Sequence, residues 1–422
     1  MTLNHSLYFH IPFCTHRCAY CDFNTYAGQE ALIPAYVDAL CKEIEFVGAR
    51  FSSPDFGAGH RSDRRIHTIF FGGGTPSLLS PKQFDLIFKS IRDQFNLTDD
   101  VEITIEANPG TVSAENLLEL RKIGINRISY GVQSANSEEL QMLERAHNFF
   151  DVIEAVTSAR KAGFDRHSNG LNLDLIYGLP EQTLSTWQTT VKRILDLHPE
   201  HISAYALTLE HGTPFGRWAS KGLLPLPDPD LAAEMYEWTS ETLAANGYIQ
   251  YEISNWAKDL ESNRAGQTRN LHYPSFACRH NLQYWRSLPY LAFGAGAHGY
   301  ANGYRYSNVL RIKTYIERIT HYQFPNSPVS GLPFPLTPTT VNHHKQTLTD
   351  DMSEYMLNNL RLVNVGASDA DFQSRFGAGL MDIYATEVAE LIRFGLLEWE
   401  GNSIKLTKRG RLLGNQVFMR FV

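Results

Sequence analysis

His10-Ile-Pro-Phe-Cys14-Thr-His-Arg-Cys18-Ala-Tyr-Cys21-Asp-Phe-Asn24 gathers three of the chain's five cysteines into eight residues. A spacing of three residues and then two brings three thiols to one metal centre and provides no neighbouring fourth thiol, so one coordination position stays open for a substrate or cofactor. The rival reading is a structural zinc site. Zinc ordinarily takes a second Cys or His pair, and here only His10 and His16 offer themselves as a fourth ligand.

Working outward from this stretch, short apolar runs alternate with helical periodicity, the pattern of repeated strand-helix units on a parallel sheet. Strands are expected at Leu7–Ile11, Ile66–Phe71, Val101–Glu106, Arg127–Val132, Leu171–Ile176 and Ile202–Thr208. Helices are expected over Ile33–Val47 and Pro81–Phe95, and Phe51–Arg65 reads as an insertion. Six such pairs by about Ala245 predict an α/β fold, a partial (β/α)6 barrel of the TIM type. The polar ends of all its strands would share one face.

Each strand delivers its own chemistry to that face. The first leads into the cysteines. The second runs into Gly72-Gly73-Gly74-Thr75, where backbone can approach a ligand closely, although the spacing is no nucleotide fingerprint and a tight structural turn explains it equally well. The third ends in Glu106-Ala-Asn108-Pro109, where the acid suits a ligand hydroxyl or amine, or simply a helix cap. The fourth ends in Gln133-Ser134, with Arg145 and His147 beyond. The fifth carries Asp174 inside an apolar run, and a buried carboxylate there needs a partner.

Beyond residue 245, the segment 246–324 holds Gln250-Tyr-Glu252, Cys278-Arg-His280-Asn281-Leu-Gln-Tyr284-Trp285 and the turn Gly294-Ala-Gly296-Ala-His298-Gly299. Its His, Tyr and Trp side chains either line a flat apolar pocket with an axial ligand or pack in the interior with satisfied polar tips. Cys41 reads as an ordinary buried thiol and Cys278 as a further ligand candidate. Five prolines between 325 and 340 mark a connector and the expected domain boundary. Residues 341–422 have the element order of a winged-helix-like α+β module, but 9 Lys or Arg against 10 Asp or Glu give no basic face for nucleic acid.

Composition sets the outer limits. The 422 residues carry a formal charge of −7, with 43% hydrophobic and 20% charged residues, an ordinary globular balance that opposes constitutive nucleic-acid binding. Clustered cysteines without a disulfide framework point to a reducing compartment, the cytoplasm. No secretory signal and no apolar run of spanning length is present, so membrane contact is peripheral at most.

The Cys14-x3-Cys18-x2-Cys21 motif, the Gly-Gly-Gly-Thr-Pro after the second strand and the barrel pattern together resemble the radical S-adenosylmethionine superfamily. Tyr8-Phe-His10-Ile-Pro-Phe-Cys14, Glu106-Ala-Asn108-Pro109, Gly131-Val-Gln133-Ser134 and Asn172-Leu-Asp174-Leu-Ile-Tyr-Gly-Leu-Pro180 are more narrowly similar to one branch. That branch contains oxygen-independent coproporphyrinogen III oxidase and the heme chaperone (HemW) family.

The resemblance implies that Cys14, Cys18 and Cys21 hold a [4Fe-4S] cluster whose open iron chelates S-adenosylmethionine for one-electron cleavage. It implies that Gly73, Gly74 and Thr75 meet the methionine end and that Glu106 and Gln133 lie near methionine or ribose groups. Arg145 and Asp174 complete the site, with Tyr8 and the backbone at Tyr20 around the adenosine.

Phe23 stands where the oxidase carries a further cysteine, and the chain starts seven residues before Tyr8, where the oxidase has an N-terminal extension. Both departures, with the His280-Asn281-x-x-Tyr284-Trp285 segment, favour the chaperone branch. The implied cargo is heme, with His280 as a heme ligand. The implied partners are client hemoproteins such as respiratory enzymes and a heme donor of the bacterioferritin kind, and a homodimer is compatible. The alternative is decarboxylation of coproporphyrinogen III propionates, so enzyme activity stays open.

Overall fold

The computed structural model describes residues 4–51, 64–260, 273–322 and 331–422. Residues 52–63 of the expected insertion, His272, and Pro325 and Pro328 of the expected connector lie outside them. The chain divides into two compact units, the first made of residues 1–200, 205–232 and 289–345, the second of 201–204, 233–288 and 346–422.

In the first unit, strands β1 (His5–Ile11), β2 (Ile66–Gly73), β3 (Leu97–Ala107), β4 (Arg127–Gln133) and β5 (Leu171–Tyr177) pair in parallel in chain order. Their near-continuous burial is what a parallel sheet covered on both faces requires. The strand His201–Ala206 comes next in the chain, with residues 201–204 in the second unit, and in the first the Leu207 N–H donates to the Tyr177 carbonyl at 2.9 Å. Helices Ile33–Phe51 and Pro81–Gln94 occupy the expected intervals, the second started by a capping box between Ser80 and Gln83 with Pro81 in its first turn.

Two features exceed the expected barrel. Tyr290–Phe293 joins the other edge of β1 in parallel, and Phe9 stacks between Phe71 and Phe293 at 4.9 Å on either side, one apolar layer across three registered strands. From there His298–Ala301, Tyr304–Asn308 and Thr340–Lys345 continue the sheet antiparallel, each paired to the one before.

The glycine turn that opens this extension is tightly packed. Gly294 sits at φ +98°, where an added Cβ would lie 2.5 Å from the His10 carbonyl.

The proline-rich tract is not where the units change. Arg50 donates to the carbonyls of Leu332 and Leu336, and Leu336 is buried, so residues 331–345 belong to the first unit and the second resumes at Gln346. The expected connector at 325–340 and the separate segment at 246–324 therefore do not describe the division. Residues 289–322 complete the first unit's sheet, whereas 246–260 and 273–288 pack in the second. Prolines signal non-helical backbone, which need not be a linker.

The second unit contains the module whose order the sequence suggested: helix Leu348–Asn359, strand Ala367–Ser368, helices Asp369–Phe376 and Leu380–Arg393, and the hairpin Leu397–Glu400 with Ser403–Leu406. Its three strands form one small sheet over a core that includes Tyr355, Phe372, Val388 and Ile404. Among the described residues no helix is long and apolar enough to cross a membrane.

The segment 289–345 is locked to the first helix by Glu43. This buried carboxylate accepts from the Gly294 N–H (2.8 Å), Asn308 Nδ2 (2.9 Å), Tyr315 OH (2.7 Å), Thr339 Oγ1 (2.7 Å) and Thr337 Oγ1 (3.3 Å). Replacing it with alanine strands several buried donors at about 1–3 kcal/mol each. Glu43→Ala should lower stability by at least about 3 kcal/mol, seen as a lower urea midpoint; an unchanged midpoint would show that water or repacking satisfies those donors.

Candidate functional site

The cysteine loop is closed at its base, where Phe13–Cys14 pairs in parallel with Tyr26–Ala27 and the Tyr26 N–H reaches the Pro12 carbonyl at 2.8 Å. Asn24 pins its far side. Its amide donates to the carbonyls of Ala295 (3.1 Å) and Leu310 (3.0 Å), and its own carbonyl accepts from His10 Nε2 (3.0 Å). The Cys21 N–H closes a turn on the Cys18 carbonyl at 3.1 Å. Backbone and Asn24 thus carry the loop's structure, and the thiols are left for chemistry.

A backbone carbonyl only accepts, so His10 Nε2 bears the proton, and Nδ1 accepts from Tyr8 OH at 3.0 Å. Both nitrogens are engaged, and burial holds the ring neutral by lowering its pKa. His16 is exposed beside Glu144 at 3.3 Å. Among the described residues no three His, Cys, Asp or Glu side chains are gathered tightly enough to hold a single ion. His10, with both ring nitrogens engaged, is not available as a fourth ligand to zinc. A four-iron cluster makes a different demand, since each of its three thiolates takes a different iron.

The donor set suits such a cluster. Thr75 Oγ1 donates to Cys14 Sγ at 3.6 Å, Arg145 Nη1 to Cys18 Sγ at 3.5 Å, and Thr25 Oγ1 stands 4.0 Å from Cys21 Sγ. Burial pushes the Cys14 and Cys21 thiols up, so iron must displace protons there to bind.

The strand ends converge as expected. The Gly73 N–H donates to Glu106 Oε2 at 3.1 Å, and Gly73 adopts φ +109° against the His10 ring, where a Cβ would come within 2.5 Å. Arg145 Nη2 donates to Asn108 Oδ1 at 2.5 Å and to the Gly131 carbonyl at 2.6 Å. Gly131 permits this, since a Cβ there would meet Gln133 Nε2 at 2.9 Å, Asn108 Oδ1 at 3.1 Å and Arg145 Nη2 at 3.3 Å. Gln133 itself turns at φ +70°.

Asp174, registered beside Gly131, accepts from Ser129 Oγ (2.8 Å) and Asn172 Nδ2 (2.7 Å), the partners its burial called for. Tyr20 meets Arg145 and sets its ring on the edge of Phe215 at 6.4 Å. Arg145 Nε is buried with no partner among the described residues, a donor that an anionic group would satisfy.

Gly74 packs directly on the loop, its N–H donating to the Ile11 carbonyl at 2.9 Å.

His280 is the exception. It lies in the second unit, 1% exposed, with Nε2 at 2.8 Å from Tyr284 OH and its ring edge-on to the same tyrosine. The segment shows interior packing with a satisfied polar tip, not an open pocket wall. Cys278 is buried alongside, its N–H donating to Tyr251 OH at 3.3 Å. Sequence reading gave no role to Asn108, Asn24 or Ser129. Asn108 stood in a quoted motif, and its amide, able to donate and accept at once, was the available signal.

A model of the Radical SAM superfamily matches residues 8–194, and a HemN C-terminal domain model matches 346–413. A protein named heme chaperone HemW from Bacillus subtilis is 36% identical over 419 residues, covering 99% of both chains. Its namesake from Lactococcus lactis is 34% identical over 99% of this chain and 97% of its own. The chain belongs to the HemW family. That family lies within the radical S-adenosylmethionine superfamily, whose membership implies a [4Fe-4S] cluster and S-adenosylmethionine. The solved structure of Escherichia coli coproporphyrinogen III oxidase HemN, a radical SAM enzyme, superposes with TM-score 0.77 at 24% identity, over 99% of this chain and 90% of that one. The two share this fold.

Glu106 is the carboxyl most displaced by this setting. Burial first, then the charge of Asp174, pushes it up to about 8, against the pull of the Gly73 N–H. Between its ordinary 4.5 and 8 the folded protein keeps a proton that the unfolded chain releases, so stability falls as pH rises through that window. In cluster-free protein Glu106→Gln should lessen the drop in melting temperature from pH 5 to pH 8. Parallel pH dependences in parent and variant would mean that Glu106 is ionised throughout.

Proposed function

We propose that this chain is a heme chaperone that receives heme and passes it to client hemoproteins, respiratory enzymes among them, on a radical S-adenosylmethionine scaffold. The observation that carries this reading is end-to-end likeness to proteins named heme chaperone, covering 99% of both chains in the first case. Phe23 supports it, standing exposed in place of the oxidase's further cysteine. A donor of the bacterioferritin kind, a reducing cytoplasmic setting and a homodimeric state complete the reading.

In this proposal Cys14, Cys18 and Cys21 each give a thiolate to one iron of the cluster, and the fourth iron takes the amino and carboxylate groups of S-adenosylmethionine. The Gly73–Thr75 turn lies against the methionine end. Arg145, with its spare Nε donor, faces an anionic group. Glu106, neutral near pH 7, can donate as well as accept, and Gln133, Asp174, Tyr8 and the backbone at Tyr20 enclose the remainder. When bound, the pair supplies an electron and a reducible sulfonium. The protein's part is to orient the ligand and to hold the cluster cysteines.

His280 enters as the heme ligand, a role that requires its bond to Tyr284 to open.

Four measurements test this. Cys18→Ala should abolish the four-iron absorption of anaerobically reconstituted protein, and a surviving four-iron signal would contradict the ligand set. Heme titration followed by transfer to an apo-hemoprotein should show uptake and release. Protoporphyrinogen appearing from coproporphyrinogen with reductant and S-adenosylmethionine would instead establish the oxidase. His280→Ala should weaken heme binding and alter its spectrum; an unchanged titration moves the ligand elsewhere.

A further inference from the structure

A continuous polar chain joins two of the three cysteine sulfurs. It runs from Cys14 Sγ to Thr75 Oγ1 (3.6 Å), to Asn108 Nδ2 (3.1 Å), from Asn108 Oδ1 to Arg145 Nη2 (2.5 Å), and from Arg145 Nη1 to Cys18 Sγ (3.5 Å). Elementary donor chemistry gives every proton in it a direction. A guanidinium only donates, so the Asn108 atom facing Arg145 is the carbonyl oxygen. Its amide NH2 therefore faces Thr75 and donates. Thr75 has one proton, and with its oxygen already accepting from Asn108 that proton points to Cys14. Each end of the chain is a donor aimed at sulfur.

Asn108 is itself held in place. Its backbone N–H and carbonyl both engage Thr111 Oγ1, at 3.2 and 2.6 Å, and that hydroxyl meets Ser77 Oγ at 2.8 Å. The missing side chain at Gly131 leaves the room in which Asn108 and Arg145 meet. Cys21 lies outside the chain, with the Thr25 hydroxyl at 4.0 Å.

We infer that Asn108 is a positioning residue for the iron-sulfur cluster: it orients Thr75 and Arg145 as hydrogen-bond donors to the Cys14 and Cys18 thiolates and so raises the cluster's reduction potential. Donors to cluster sulfur, and a cation beside it, draw off negative charge and favour the reduced form. The inference rests on the three cysteines ligating the cluster and is independent of heme.

Asn108→Asp tests it, because the replacement is nearly isosteric and puts an acceptor where the NH2 stood. Thr75 then turns its proton to the carboxylate, Cys14 loses its donor, and Arg145 is neutralised. Anaerobically reconstituted full-length protein, without S-adenosylmethionine, is followed by iron content, absorption and potentiometric titration monitored by electron paramagnetic resonance. The variant should hold four irons at a potential below the parent's. Thr75→Val, which removes the donor to Cys14 together with the acceptor of the Asn108 NH2 but leaves Arg145 on Asn108, should shift the potential the same way by less, and the two shifts should be less than additive because both act through Thr75. Four irons at the parental potential in both variants overturns the inference. Where Asn108→Asp fails to hold the cluster, Thr75→Val decides, an unshifted potential again overturning it. A parent without a four-iron signal would remove the cluster reading itself, a distinguishable result.

Discussion

The placement of the cysteine loop depends on one buried carboxylate far from it in function. Glu43, on the first helix, collects donors from Gly294, Asn308, Tyr315, Thr337 and Thr339, residues some 250 to 300 positions later. The segment it anchors supplies the carbonyls of Ala295 and Leu310 that Asn24 grips from inside the loop. Tyr36, two turns earlier on the same helix face, ties both together, donating to the His10 carbonyl at 2.7 Å and accepting from the Ala295 N–H at 2.9 Å. An N-terminal metal motif is thus positioned by backbone from residues 290–345. Its accuracy is a tertiary property, and the acidic group responsible is held by hydrogen bonds rather than by an ion pair.

This explains which parts of the molecule could be read from sequence. The five parallel strands and their helices announce themselves because apolar runs of strand length, separated by helical periodicity, leave few other packings. The convergence of their C-terminal ends was legible for the same reason, since strands that all run parallel end on one side of the sheet. The strand Tyr290–Phe293 was hidden. It is short, sits between helix and turn signals, and finds its place through pairing with β1 and the stacking of Phe293 on Phe9, both distant in sequence. The proline tract misled because Pro333 and Pro335 flank carbonyls that Arg50 binds, so a stretch that looked like linker is core-facing backbone. Asn108 was quoted and given no task, as an amide's usefulness depends on what stands at its two ends.

The strand ends present a second physical problem, the crowding of buried acid. Glu106 and Asp174 lie within each other's field on half-buried strand ends. The structure treats them differently. Asp174 accepts from Ser129 and Asn172, short donors from the adjacent strand and its own. Glu106 receives the Gly73 N–H and keeps its proton. One acceptor and one group that both donates and accepts stand side by side, a pairing suited to a ligand with hydroxyl and amine functions. His147, driven down to about 4 by burial and by the charge of Arg145, adds no further cation. Arg145 is left as the fixed positive charge beside the sulfurs.

The cysteine loop and the segment around His280 are built differently. Among the described residues, those that hydrogen-bond the cysteines belong to the first unit, whereas His280, Tyr284 and Cys278 pack inside the second. The first set is polar and directional, with donors aimed at sulfur and a guanidinium nitrogen left unpartnered; the second is close-packed, with its polar tips already paired. A site of the first kind is ready for its ligand. In the second, His280 Nε2 already bonds to Tyr284 OH at 2.8 Å, so any ligand taken up at that nitrogen would first have to part the two, at about 0.5–1.5 kcal/mol for a typical net hydrogen bond. Under the proposed carrier role that modest cost is useful, because the tyrosine that bonds to His280 would compete with a bound ligand when it has to be released.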